Sequence, residues 1–125
     1  MGVILAVEDE MLILIMAETL LEEWGHTTLS ATDVREALSH VDSAHHIDAL
    51  FTDIHLERSA HGGFDLARHA VMLRPQLAVL YTSGNALTGE MQSMFVRGAR
   101  FLPKPYMDHQ LKDAIDELLT TQSCA

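Results

Sequence analysis

The sequence predicts an α/β fold, a doubly wound five-stranded parallel sheet with helices on both faces, and three observations carry that expectation. Five short apolar runs alternate with stretches of helical periodicity. Parallel neighbours require crossover connections, which is what such alternation supplies. The polar residues that interrupt the pattern fall at the ends of the apolar runs, where ligand sites of doubly wound sheets lie.

The elements follow in order. Val3–Val7 is a continuous apolar run ending in acids and reads as a strand buried on both faces. From Met11 onward, Leu14, Ala17, Leu21 and Trp24 recur at helical spacing and Gly25 supplies a stop. Thr27–Ala31 reads as the second strand, and Asp33 caps a helix carrying Val34, Ala37, Leu38 and Val41. Asp48–Thr52 forms the third strand, ending at Asp53, and a Gly-containing loop leads to a helix with Phe64, Leu66, Ala67 and Ala70. Leu77–Tyr81 is the fourth strand, Ala86–Val96 the fourth helix, Arg100–Pro103 the fifth strand and Leu111–Leu119 the last helix.

The chain of 125 residues is the size of one compact domain, so residues 1–125 are expected to form one unit with no output domain. Eight Lys and Arg against eighteen Asp and Glu give a net charge of −10, which repels nucleic acid and anionic lipid. Cys124 is the single cysteine, so no intrachain disulfide forms. The apolar stretch Met11–Ala17 is far shorter than the roughly 20 residues of a membrane span, and Glu8, Asp9 and Glu10 precede it where a signal peptide has basic residues. A cytoplasmic protein is the resulting expectation. His40, His45 and His46 lack the spacing of a transition-metal site and read as loop residues. Leu87, Met91, Met94 and Phe95 read as core packing, with some of them exposed for partner contacts.

The chemistry-bearing residues gather at one edge. Glu8 and Asp9 end the first strand, Asp53 the third, Thr82 and Ser83 the fourth and Lys104 the fifth. Three carboxylates brought together need a cation to remain ionised. Mg²⁺, which prefers oxygen ligands, suits Glu8, Asp9 and Asp53, with the main-chain carbonyl of His55 as a further ligand. An aspartate beside Mg²⁺ and a lysine is suited to accept a phosphoryl group, so Asp53 is the expected acceptor, with Lys104 as its ammonium and Ser83 as the hydroxyl that bonds a phosphoryl oxygen.

These residues resemble the receiver domains of bacterial two-component response regulators, over nearly the whole chain from Val3 to Leu119. The acidic pair is matched in Val-Glu-Asp-Glu, the phosphoacceptor in Phe-Thr-Asp-Ile and the lysine in Lys-Pro-Tyr. The resemblance implies a flavodoxin-like sheet of order 2-1-3-4-5. It also implies a cis bond between Lys104 and Pro105, and at Phe101 an aromatic ring that changes rotamer on activation. It further implies a signalling protein rather than an enzyme, phosphorylated by a sensor histidine kinase or a histidine phosphotransfer protein. Output would then pass through an unknown downstream protein, a phosphorelay or a phosphate sink.

Two departures stand out. Glu57 takes the place of a usual proline, and the stretch from Glu57 to Gly63 is about two residues longer than usual, so this loop is expected to be mobile or to present His55 differently. Between Gly98 and Lys104 the chain is one residue shorter, so counting back from Lys104 selects Thr82 as the hydroxyl and counting from Gly98 selects Ser83. Ser83 is preferred because Gly84 follows it. Two rival readings are a Mg²⁺-dependent phosphatase with Asp53 as covalent nucleophile, and a flavin-binding or non-phosphorylated scaffolding domain of the same fold. The first lacks a second aspartate at position 55, and the second lacks a phosphate-cradling loop after the first strand.

Overall fold

The computed structural model describes residues 2–56 and 62–123. Glu57 and the loop residues up to His61 lie outside the described residues. Among the described residues five strands and five helices alternate: β1 Val3–Val7, α1 Met11–Glu23, β2 Thr27–Ala31, α2 Val34–Val41, β3 Ala49–Asp53, α3 Gly62–Leu73, β4 Ala78–Ser83, α4 Gly89–Ser93, β5 Arg100–Pro103 and α5 Asp108–Ser123. The strands form one parallel sheet of order β2-β1-β3-β4-β5, as expected. No described helix is long and apolar enough to cross a membrane.

The sheet is covered on both sides, and strand alternation sorts its residues between two cores. Ile4, Phe51, Leu80 and Leu102 join Ala17 and Leu21 of α1 and Leu111, Ile115 and Leu118 of α5. Leu5, Leu50, Val79 and Tyr81 face the other way, against Ala37 and Val41 of α2 and Phe64, Ala67 and Ala70 of α3. β1, β3 and β4 are central strands, which is why their apolar runs are continuous rather than alternating.

Helix boundaries follow local chemistry. α1 ends where Gly25 takes a φ of 90°, with the His26 N–H bonding back to the Leu21 carbonyl. α2 begins where the Asp33 carboxylate accepts the Glu36 N–H at 2.7 Å, while Glu36 reaches back to the Thr32 N–H at 2.8 Å.

The fourth helix departs from the expected Ala86–Val96 and spans only Gly89–Ser93. At its start the Thr88 hydroxyl accepts the Met91 N–H, so the preceding residues lie outside the helix. At its end the Val96 N–H is donated to the Tyr81 hydroxyl at 3.2 Å rather than to an α4 carbonyl, and Gly98, at a φ of 79°, leads into β5. Met91, Met94 and Phe95 are half-buried against the α3 side of the core. α5 starts three residues earlier than its apolar stripe suggested, and β4 continues to Ser83 because Thr82 and Ser83 pair with Leu102 and Pro103.

Candidate functional site

The parallel topology delivers the carboxyl ends of β1, β3, β4 and β5 to one edge. Glu8 follows β1 and Asp53 ends β3, and both are buried, at 6% and 7% exposure, while Asp9 points into solvent-accessible space. Carboxylate oxygens of Glu8, Asp9 and Asp53 lie within 4.8 Å of one another. Lys104, just past β5, donates from Nζ to Glu8 Oε1 at 2.5 Å and to Asp53 Oδ2 at 2.8 Å. Its main-chain N–H bonds the Ser83 carbonyl at 2.9 Å, and the Lys104–Pro105 peptide is cis, as the resemblance implies.

One ammonium faces three carboxylates, and the electrostatics register the imbalance. Burial pushes the Glu8 carboxyl up to about 7, the charge of Asp53 adds to the rise, and the Lys104 hydrogen bond pulls against it. Burial also disfavours the charge on Lys104, but its hydrogen bonds to Asp53 and Glu8 outweigh that and hold its pKa above the ordinary value. Lys104 therefore stays an ammonium, and the remaining negative charge concentrates where an additional cation would relieve it. The donors are all carboxylate oxygens, a set that suits a hard divalent metal ion. Glu8, Asp9 and Asp53 are the residues that can hold it.

Asp53 itself is fixed on two sides. Lys104 holds Oδ2, and the His55 N–H donates to Oδ1 at 3.1 Å. An open cleft of about 520 Å³ lies over these groups, with His55 and Asn85 among its walls. The His55 ring Nε2 and the Asn85 side-chain nitrogen are 2.9 Å apart, so the loops after β3 and β4 touch across the cleft.

The two hydroxyls at the end of β4 have different surroundings. Thr82 donates to the Leu102 carbonyl at 2.7 Å and shares the Leu80 and Leu102 face, towards α1 and α5. Ser83, fully buried, accepts the Asn85 N–H at 3.0 Å and by alternation shares the face of Tyr81 and Phe101. Phe101 is half-buried, with its ring 6.3 Å from that of Phe95.

Of the three histidines expected in a loop, His45 and His46 lie outside helix and strand, whereas His40 sits in the last turn of α2, and His40 and His46 take separate partners. His40 Nε2 is 3.1 Å from the Ser30 carbonyl and His46 Nε2 is 2.7 Å from Asp48 Oδ1.

Two contributors escaped the sequence reading. Gly63 packs directly on the Asp53–Ile54 backbone, and its N–H bonds the Ile54 carbonyl at 2.8 Å. The Gly-Gly pair opening α3 was its only trace in the sequence. Asn85 carried no signal, since its role depends on the loop that places it opposite His55.

Comparison with known proteins bears on the fold and the family. The receiver protein of Sinorhizobium medicae WSM419 is 29% identical, over 97% of this chain and 96% of that one, with a TM-score of 0.87. The CheY-like receiver domain protein of Methanospirillum hungatei JF-1 is 26% identical, over 99% and 98% of the two chains, with a TM-score of 0.88. NtrX of Brucella abortus is 30% identical over 98% of this chain, which spans only 28% of the NtrX chain, with a TM-score of 0.86. Residues 4–116 match the family described as the response regulator receiver domain, and with the sheet order and a fold shared along almost its full length, the chain belongs to that family.

Proposed function

We propose that the protein is a phosphorylation switch in which Asp53 takes a phosphoryl group from a phosphohistidine of a sensor kinase or histidine phosphotransfer protein. The observation that carries this reading is the Lys104 ammonium held between Glu8 and Asp53 at the floor of an open cleft. A carboxylate oxygen of Asp53 attacks phosphorus, the O–P bond forms as the donor's N–P bond breaks, and the imidazole, already protonated on its other ring nitrogen, leaves neutral. Glu8, Asp9 and Asp53, with the His55 carbonyl, would hold Mg²⁺, which would supply charge neutralisation for the transferring group. Lys104 pairs with the developing negative charge, and the His55 N–H keeps the Asp53 carboxylate oriented. Water later attacks phosphorus, releasing phosphate and regenerating the carboxylate.

Ser83 is the hydroxyl that meets the phosphoryl group. Its support is that Thr82 is committed to the Leu102 carbonyl on the other face, whereas Ser83 shares the face of Phe101. Movement of Ser83 towards the phosphoryl group would free space into which Phe101 turns, shifting an equilibrium between two packings. The signal would pass to another protein by direct binding, onward phosphotransfer or competition for phosphoryl groups, in the cytoplasm where histidine kinases present their phosphorylated domains.

Incubation with acetyl phosphate and Mg²⁺ followed by intact-mass measurement tests the acceptor. Wild type should gain one phosphoryl group and Asp53→Asn none. Equal labelling of both proteins would sink the assignment.

A further inference from the structure

Tyr81 occupies a position that the phosphoacceptor chemistry does not require. It lies two residues before Ser83 on the same face of β4, pairs in register with Phe101, and is fully buried. Its ring packs edge-on to Phe64 with centroids 5.2 Å apart and against Phe95 at 4.7 Å. Its hydroxyl accepts the Val96 N–H at 3.2 Å. Phe64 in turn follows Gly63, which abuts the Asp53 backbone.

The hydrogen bond falls at the point where α4 stops. The N–H groups of Met94 and Phe95 still bond α4 residues, the carbonyls of Met91 and Gln92, whereas the next N–H, of Val96, turns to Tyr81. A buried phenol thus takes the donor that would otherwise continue the helix.

We propose that the Tyr81 hydroxyl is a latch holding the segment 94–99 out of α4, and that phosphorylation of Asp53 alters the α4–β5 face through it. The second half rests on the phosphoacceptor reading. The path is short: Ser83 and Tyr81 share a strand face, so displacement of the β4 end moves the phenol against Phe95, and Phe101 lies alongside. Tyr81 is a positioning residue that touches no reacting atom.

Tyr81→Phe keeps the ring and removes only the hydroxyl, and isotope-labelled protein reports each amide. At rest, the variant should show Val96 N–H exchange roughly five- to tenfold faster, the effect of losing one hydrogen bond, with altered Cα shifts at 94–97 and unchanged exchange at Leu50 and Leu80. Unchanged exchange and shifts at 94–97 would overturn the latch. With acetyl phosphate and Mg²⁺, wild type should change at 94–99 and the variant by less than half as much, although both gain phosphoryl to the same extent by mass. An equal response in both would overturn the coupling. If wild type gains no phosphoryl group, the acceptor reading fails and the coupling with it, while the resting comparison still decides the latch.

Discussion

A Cβ on Gly63 would stand 2.1 Å from the main-chain oxygen of Asp53 and 2.7 Å from the Cα of Ile54. Neither neighbour is the free end of a side chain, so any larger residue must displace the backbone that carries Asp53. Gly63→Ala should therefore destabilise the fold by about 3 kcal/mol or more, at the upper end of overpacking effects. Gly84, whose Cβ would meet nothing within 4 Å, is the control, and Gly84→Ala should stay within about 0.5 kcal/mol of wild type. Urea denaturation of the three proteins makes the comparison, and matching midpoints for the two variants would remove Gly63 as a clamp on the site.

The Lys104 ammonium lies between Glu8 and Asp53, two of the carboxylates proposed to hold Mg²⁺, so it would compete with the ion there. Lys104→Met keeps much of the aliphatic stem and removes the charge. Mg²⁺ affinity, measured by calorimetric titration, should rise on the order of tenfold, because a positive charge a few ångströms away no longer opposes the ion. Asp9→Asn should weaken Mg²⁺ binding by at least as much without affecting the fold, since its side chain is exposed and the ion loses a charged ligand. Equal affinity in Lys104→Met and wild type would show that the ammonium and the metal do not share ligands.

His26 provides a pH dependence remote from the site. Its Nδ1 accepts the Gly2 N–H at 3.0 Å, and partial burial lowers its pKa below the ordinary 6.5. The unfolded chain therefore binds the proton more readily than the folded one. The resulting stabilisation is present above about pH 6.5 and is lost as pH falls through the folded-state value. Wild type and His26→Gln should differ in urea midpoint at pH 7.5 by more than at pH 5. A gap that widens on acidification would contradict the sign.

The legible parts of the molecule are those fixed by local pattern. β1 and the first three residues of β3 are read directly because a strand covered on both faces is a continuous apolar run, and the acids and Lys104 stand out by interrupting such runs. α4 is shorter than its pattern predicts for a tertiary reason: Leu87, Met91, Met94 and Phe95 keep helical spacing, but the acceptor that takes the Val96 N–H lies 15 residues away on β4. Gly63 leaves as little trace in the sequence, since its need for no side chain arises only when α3 docks on the end of β3. The choice between Thr82 and Ser83 depended on which face of β4 meets which helices, and apolar residues on both faces conceal that in sequence.

The two hydroxyls at the end of β4 should separate cleanly, one by stability and the other by signalling. Thr82 donates to the Leu102 carbonyl inside the core, so Thr82→Val keeps the shape but leaves that carbonyl without this donor, costing about 1–2 kcal/mol. Its response to phosphorylation should be nearly normal, because its side chain faces α1 and α5 rather than Phe101. Ser83 instead accepts from the Asn85 N–H in the loop that must move if its hydroxyl turns to a phosphoryl oxygen. Ser83→Ala should still gain one phosphoryl group by intact mass, yet lose more than half of the change in amide exchange across residues 84–106. Should Thr82→Val lose the response while Ser83→Ala keeps it, the hydroxyl assignment would be reversed. Full responses in both variants would mean that the acceptor and the α4–β5 face communicate without either hydroxyl.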